Sequence, residues 1–477
     1  MRPHRYTVVL LLLAFPLVLA AQDDGGADDL DFGLGIAIGA QSFPNPDYTG
    51  TGTEPAVITY QSVSATPDLA LGKFGIGVDV TLNYRFTAGD GTEFEIRRED
   101  WVPDENTSFL ELYLPKLRYV RWGLKGDPLY VLLGMVDNGT LGNGFILGGY
   151  SNTQQLPEFR LFGMSLDVDG QLFNFPYVGL ETFASNLAAF DLIGSRIFVR
   201  PLVGTSIPIL RNMQVGGTFA MDREPFYFLS RSQLGSGNLD AQLEKYLPED
   251  ADYTSASVSM WGTDIIVPVL TNPVVSLATF GDFVMQGSNR GGMVGLGGRL
   301  INIIPYRAEL RFLGSNFVPR YFDVTYDHFR ADRYATYAGV DSTAYAANGE
   351  DFTTDRSIGW FALSGFALLE DQIVFSASLA GPYSLEDRTF GYPDLQASLS
   401  VAEGLLGGFS LDAFWDKKEI DRPADLFSAE DAVIGARLNY RIENAVISLV
   451  YDLQYDPLAE PDPWVVTSGL ESSIKLF

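Results

Sequence analysis

Residues 74–86 read Phe-Gly-Ile-Gly-Val-Asp-Val-Thr-Leu-Asn-Tyr-Arg-Phe, an unbroken alternation of apolar with small or polar side chains. A strand turns successive side chains to opposite faces, so this stretch carries one greasy face and one wet face. The pattern returns at Phe32, Leu34, Ile36 and Ile38, set against Gly33, Gly35, Ala37 and Gly39. It recurs at Val294, Leu296 and Leu300, at Tyr306, Ala308, Leu310 and Phe312, and at Leu395, Ala397, Leu399 and Val401. Phe409, Leu411, Ala413 and Trp415 repeat it, as do Ile434, Ala436, Leu438 and Tyr440, and the run from Ile447 through Tyr455. One such segment fits an amphipathic sheet of a water-soluble protein equally well. Many of them, each about ten residues long and separated by turn residues, predict strands with an apolar face toward lipid.

The chain ends support that choice of solvent. Arg2 and Arg5 precede an apolar run from Val8 to Leu19, with Ala20 and Ala21 after it. The run is too short to span a bilayer as a helix, and the order basic, apolar, small marks a secretory signal peptide at residues 1–20. Beyond it no run reaches the roughly 18 apolar residues of a transmembrane helix. There is no cysteine, so disulfides, thiolate metal sites and a lipid-modified cysteine are excluded. The formal net charge of −28 disfavours nucleic acid as a partner, because phosphates would be repelled. The acids cluster between the alternating segments, at Asp23, Asp24, Asp28, Asp29 and Asp31 and at Glu249, Asp250 and Asp252, as solvated loops do. Composition does not shift along the chain, so residues 21–477 read as one domain.

Connector lengths carry a second signal. Turn residues form tight links at Gly72-Lys73, Lys125-Gly126-Asp127-Pro128, Thr271-Asn272-Pro273, Ile303-Ile304-Pro305, Glu370-Asp371-Gln372 and Glu443-Asn444. Longer connectors fall at about 42–56, 87–108, 137–157, 222–254, 314–356, 416–431 and 456–463. Short and long links mostly alternate, as in a barrel with short periplasmic turns and long extracellular loops. The count is about 20 strands, with 18 or 16 if weak segments between 158 and 222 merge. Tyr84, Phe86, Trp122, Trp261, Trp360, Trp415 and Trp464 sit near strand ends, where interfacial girdles lie.

With the signal peptide, alternating segments, loop asymmetry and terminal Phe477, the chain resembles Gram-negative outer-membrane β-barrel proteins of the porin-like kind. The resemblance implies an all-β, single transmembrane antiparallel up-and-down β-barrel in the cell outer membrane. It implies outer-membrane lipid as surroundings, small solutes as cargo, and barrel-assembly machinery reading the C-terminal strand; an oligomer is left open. One departure concerns that strand: Leu470, Ser472, Ile474 and Leu476 share one parity and Phe477 takes the other. About ten residues lie between the signal and the first strand, too few for a plug domain.

If the apolar parity faces lipid, the other faces the lumen, and charge on the lipid side would cost about 2–4 kcal/mol per residue at midplane. The expected pore-lining residues are Asp79, Arg85, Arg196, Arg200, Asp282, Arg299, Arg307, Glu309, Arg311, Arg437 and Arg441, with Glu181, Asp412 and Asp452 on the same parity. Such charges either set a field that discriminates ions or brace the wall as pairs. A barrel this wide without a plug needs narrowing. Loop 314–356 is unusually aromatic, and Tyr321, Phe322, Tyr326 and Phe329 are its constriction-loop candidates. In loop 222–254, Asn238 is an expected N-cap for a helix presenting Leu239, Leu243, Tyr246 and Leu247 on one face. Both loops are expected either to enter the lumen or to pack over its mouth. The glycine-rich segment Asn138–Asn152 lacks the Lys-Ser/Thr of a phosphate cradle and is expected to be structural or pore-facing.

Enzymatic chemistry has little to stand on. His4 leaves with the signal, so His328 beside Asp327 is the one mature histidine. No Gly-x-Ser-x-Gly elbow and no His-Glu-x-x-His motif occurs. Asp167-Val168-Asp169-Gly170 lacks the ligand register of a calcium loop and reads as a turn. The sequence therefore predicts no enzyme, no metal and no cofactor. It predicts a channel for passive or loop-gated diffusion of small hydrophilic solutes. The alternatives are transport of hydrophobic solutes through a loop-narrowed barrel, or a surface barrel that adheres and does not transport.

Overall fold

The computed structural model describes residues 30–45, 57–88, 92–104, 107–156, 159–231, 243–247, 252–272, 274–343, 349–369, 371–386, 388–418, 420–429, 432–442, 445–455 and 464–475. Among the described residues, twenty-two strands join in one antiparallel sheet in which sequence neighbours mostly pair. Leu30–Pro44 pairs with Val57–Leu71 on one side and with Trp464–Lys475 on the other, so the ladder closes into a barrel. Two staves are each made of two strands: Phe74–Val78 continues as Val80–Ala88, and Thr92–Ile96 is followed in the same stave by Leu117–Trp122. The 22 strands thus make twenty staves, in agreement with the count from sequence. Four of them, Gly163–Asp169, Val178–Ala184, Leu192–Val199 and Gln214–Asp222, occupy the region whose alternation is weakest.

The alternation sorts faces as a strand must. Ile197, Phe219, Trp261, Phe283, Leu310 and Phe312 are exposed on the outside, while Arg196, Thr218, Asp264 and Arg311 are buried on the inside. The short ends turn tightly, with Gly72 at φ +53°. At Ile301-Asn302-Ile303 the turn lies earlier than the sequence suggests: Ile301 and Asn302 take positive φ, and Ile304 and Pro305 already belong to the strand Ile304–Leu313. Proline is tolerated there because a strand's first residues need not donate to the ladder.

Two corrections to the connector map bear on function. The expected connector 87–108 contains the strand Thr92–Ile96, which pairs with Val80–Ala88. The irregular segment is 97–116, inserted within a stave. It rejoins the wall through Arg97 N–H to Asn83 O at 2.9 Å and Asp79 N–H to Lys116 O at 2.8 Å. Its helix Phe109–Tyr113 starts with a capping box in which Ser108 and Glu111 satisfy each other's backbone N–H groups.

The second concerns where the long loops go. The stave Leu129–Gly134 ends at a glycine with φ +116°, where a Cβ would lie 2.3 Å from the Arg118 carbonyl oxygen. Only glycine lets the chain leave the wall and turn into the lumen at that point. The segment that follows forms a small ribbon, Gly139–Thr140 against Gly148–Tyr150. Loop 314–343 reaches it from across the barrel, with Phe322 N–H bonded to Ile146 O and Gly148 N–H to Phe322 O. Together they build a hydrophobic core inside the barrel. Leu141, Phe145, Ile146, Leu147 and Tyr150 meet Phe317, Tyr321, Phe322 and Tyr326, and both sets pack on the inward-facing Phe183, Leu192, Ala220, Val258, Met260, Val284 and Met293.

Candidate functional site: a half-filled lumen

The glycine-rich loop rests on a ladder of inward charges. Arg196 grips Asp264 through two bonds, Nε to Oδ2 at 2.9 Å and an Nη to Oδ1 at 2.6 Å, and reaches Glu181 at 2.9 Å. Such a fork is the arrangement in which a buried guanidinium retains favourable energy. Gly142 N–H donates to the other Glu181 oxygen at 2.9 Å, and a Cβ on Gly142 would fall 2.8 Å from Arg196 Nε. Asn143 donates to Asp282 at 2.7 Å, and Arg307 donates to the Asn143 carbonyl at 2.6 Å. Arg307 and Arg311 flank Glu309 at 2.5 and 2.7 Å, and Arg311 lies over Phe361 with 4.6 Å to the ring centroid. The loop tip is thus fastened by charged side chains of three strands of the wall, through Glu181, Asp282 and Arg307.

A second ionic knot ties down loop 314–343. Arg330, at the start of the helix Arg330–Ala338, bonds Asp222 through Nε at 2.7 Å and an Nη at 2.6 Å, and Asp191 at 2.9 Å. Tyr326 donates to Asp222, Ser185 donates to Asp191 at 2.7 Å, and Tyr150 donates to Asp327 at 2.8 Å. Burial pushes the Asp327 carboxyl up to about 7, against the pull of Arg330. Burial likewise raises the phenols of Tyr150, Tyr321 and Tyr326 well above their ordinary value, so Tyr150 and Tyr326 keep donating throughout the physiological range. Arg333 secures the preceding turn through Asp323 at 2.7 Å and the Tyr321 carbonyl. From loop 222–254, Phe226, Leu243 and Leu247 pack on Ala331 of the same helix. The expected helix at Asn238 lies mostly outside the described residues.

The opposite half of the wall is different. Many of its inward residues are small and hydrophilic, with Phe414 and Val433 on the same parity: Ser376 meets Ser398 at 2.9 Å, Ser400 donates to Asp412 at 2.6 Å, and Asn439 donates to Ser410 at 3.1 Å. Ser398, Ser400, Asp412 and Arg437 are exposed to solvent on this inner face. Past the closing seam the wall is covered again: Ser62, Thr81 and Asn83 are buried, and Thr81 and Asn83 line a cleft with the inserted segment. The lumen is therefore filled against one half of its wall and open along the other.

The expected pore-lining residues divide between these halves. Arg196, Asp282, Arg307, Glu309 and Arg311 lie together in the ladder under the glycine-rich loop. Asp79 pairs with Arg160 at 3.0 Å, and Arg85 with Glu95 at 2.7 Å. Arg200 pairs with Asp169 at 2.6 Å and Arg299 with Asp371 at 3.9 Å, both at the short-turn end. Arg437 faces Asp412 in register, and Arg441 pairs with Glu403. Tyr321, Phe322 and Tyr326 are fully buried in the inner core, whereas Phe329 is partly exposed at the start of the helix. Sequence reasoning missed Asp191, Asp222 and Arg330 as one group and missed the insertion 97–116. A parity count would have flagged Asp222, but Asp191 and Arg330 lie in connectors that have no parity.

No protein-family model matches the sequence, and no curated protein matches it. Solved structures do. Pseudomonas aeruginosa OpdL is 8% identical, with 94% of this chain and 99% of that one covered, at a TM-score of 0.35. Acinetobacter baumannii OccAB4 is 9% identical over 94% and 98%, at 0.31. Pseudomonas aeruginosa OprD is 10% identical over 95% and 97%, at 0.30.

Proposed function

We propose that the chain is a porin-like channel of the outer membrane, through which small hydrophilic solutes diffuse along the open half of the lumen. The signal peptide at residues 1–20 would export it, and residues 21–477 would form one barrel in lipid. The observation that carries the reading is the contrast between the two halves of the inner wall. A solvent-exposed row of Ser398, Ser400, Asp412 and Arg437 has no reason to line an interior unless water passes there. The outward apolar belt supports lipid on the other side of the same strands, since burying Arg437 or Asp412 in hydrocarbon would be costly.

The mechanism needs no covalent step. Diameter follows strand number, and a barrel of this size would leave a wide hole. The two inturned loops take up one side of that hole, held by ion pairs that side chains of the wall supply. What remains is a narrower water path whose wall charges are mostly paired, so they set a local field without trapping a permeant ion. The aromatic residues that could have suggested a pocket for hydrophobic solutes are spent on one another in the inner core. That favours the hydrophilic route. Reading of the last strand by barrel-assembly machinery, and self-association, belong to the same proposal.

Single-channel recording of the detergent-purified protein in a planar bilayer tests it. Stable open steps are expected, and the reversal potential under a KCl gradient gives the ion preference. Silence from folded, heat-modifiable protein would refute the channel.

A further inference from the structure

We propose that the cleft between the inner face of Val80–Ala88 and the inserted segment 97–116 is a binding subsite for small solutes that carry a primary ammonium group. The proposal rests on the channel reading for the solute's route of access. It is lined by Asp79, Thr81 and Asn83 of the wall together with Glu99, Asp104 and Lys116 of the insertion.

Its bases are already engaged. Arg97 is bonded to Asp100 and stands over Phe43 at 3.8 Å from the ring centroid. Lys116 donates to the Asp100 carbonyl at 3.0 Å and sits over Trp101 at 4.1 Å. Arg160 is held by Asp79 at 3.0 Å, and Arg231 by Glu224 at 2.9 Å with the Tyr227 ring at 4.0 Å. An incoming anion would have to break one of these contacts, or share with the Glu111 carboxylate 3.8 Å away the Nε of Arg231, a buried donor without a hydrogen bond. A cation would not.

Acceptors, by contrast, are in surplus. Glu99 is exposed and makes no ion pair among the described residues. Asp104 lines the same cleft and is engaged, accepting Thr107 N–H at 2.7 Å, so Glu99 carries the surplus. The independent observation is Asn83, which is 4% exposed and lines the cleft. Its Nδ2 donates to Asp100 Oδ2 at 2.8 Å, which fixes the amide's orientation because a carboxylate can only accept. That leaves Asn83 Oδ1 buried with no donor. A native buried acceptor without a partner calls for one. A primary ammonium brings three N–H donors and a positive charge, so it can satisfy Asn83 Oδ1 while the exposed carboxylates attract it. A quaternary ammonium has the charge and no donor.

Saturation-transfer NMR on the full-length protein in detergent, with methylammonium and tetramethylammonium as probes, separates these properties. Methylammonium is expected to bind, and Asn83→Leu to weaken it about tenfold, as loss of a hydrogen bond to a charged group does. Glu99→Gln, at an exposed position that leaves the fold intact, is expected to weaken it about two- to fivefold. Tetramethylammonium should bind more weakly and ignore Asn83→Leu. Equal binding of both probes, or methylammonium binding indifferent to Glu99→Gln, would overturn the subsite. Binding here does not require conduction, so a silent bilayer with selective binding refutes the channel and keeps the subsite. Open steps without selective binding do the reverse.

Discussion

Replacing Arg330 with leucine should release the inner loop while leaving the barrel closed. The guanidinium makes two bonds to Asp222, at 2.7 and 2.6 Å, and a third contact to Asp191 at 2.9 Å. Both carboxylates are fully buried, so the substitution strands two negative charges with no cation. Breaking a buried pair in this way typically costs about 3–5 kcal/mol. Tyr326 still donates to Asp222 and Ser185 to Asp191, which argues for the lower end of that range. Even about 3 kcal/mol raises the population of the undocked loop by roughly a hundredfold. The strands that close the barrel bond through their own backbone and are not part of this knot. The readouts are the rate of proteolysis within 314–343 in folded, detergent-held protein, and the unit conductance in a planar bilayer; both should rise. Neutralising the stranded acids as well, in Asp191→Asn/Asp222→Asn/Arg330→Leu, should restore much of the protection. Unchanged cleavage and conductance in Arg330→Leu would refute the idea that this cluster holds the loop in place.

Three further outcomes follow from the same geometry. Asp327 titrates at about 7 when docked, against 3.8 ordinarily, so the docked loop keeps a proton that the undocked loop releases. Docking should therefore weaken as pH rises from about 4 to about 7, by at most about 4 kcal/mol, and level off above; hydrogen exchange of the loop would report it, and Asp327→Asn should flatten the profile. Gly134→Val meets a backbone oxygen at 2.3 Å and a positive φ, so the chain can no longer turn inward there; refolding yield into detergent should drop sharply. Leu310→Arg places a charge on the outer face and should cost about 2–4 kcal/mol of folding stability in lipid vesicles, whereas a change at inward, exposed Arg437→Gln should alter reversal potential with little loss of stability.

Much of the wall was legible because a strand's parity is a local property. Phe312 and Arg311 are adjacent in sequence and must face opposite ways whatever else the chain does. The outward sets on Ile304–Leu313 and Asn289–Leu300, the turn at Gly72-Lys73 and the number of staves all follow from that period. Parity fails where the strand is interrupted. Asp79 marks such a break, and the residues beyond Ile96 leave the wall before Leu117 returns to it, so a count by period reads the whole stretch as a loop.

What the sequence determined by itself, then, is the two-faced wall: alternate side chains meet alternate solvents, and the cost of misplacing a charge enforces the assignment at every position. It also marked Asn138–Asn152 and 314–356 as loops with too many glycines or aromatics to idle in water. Only the tertiary structure decided that these loops meet inside the barrel, because Phe322 bonding to Ile146 and Arg330 joining Asp191 to Asp222 depend on staves brought together by closure. Contacts between connectors have no period to read. They exist once the wall has fixed where each connector begins, and that is a property of the closed sheet rather than of any segment.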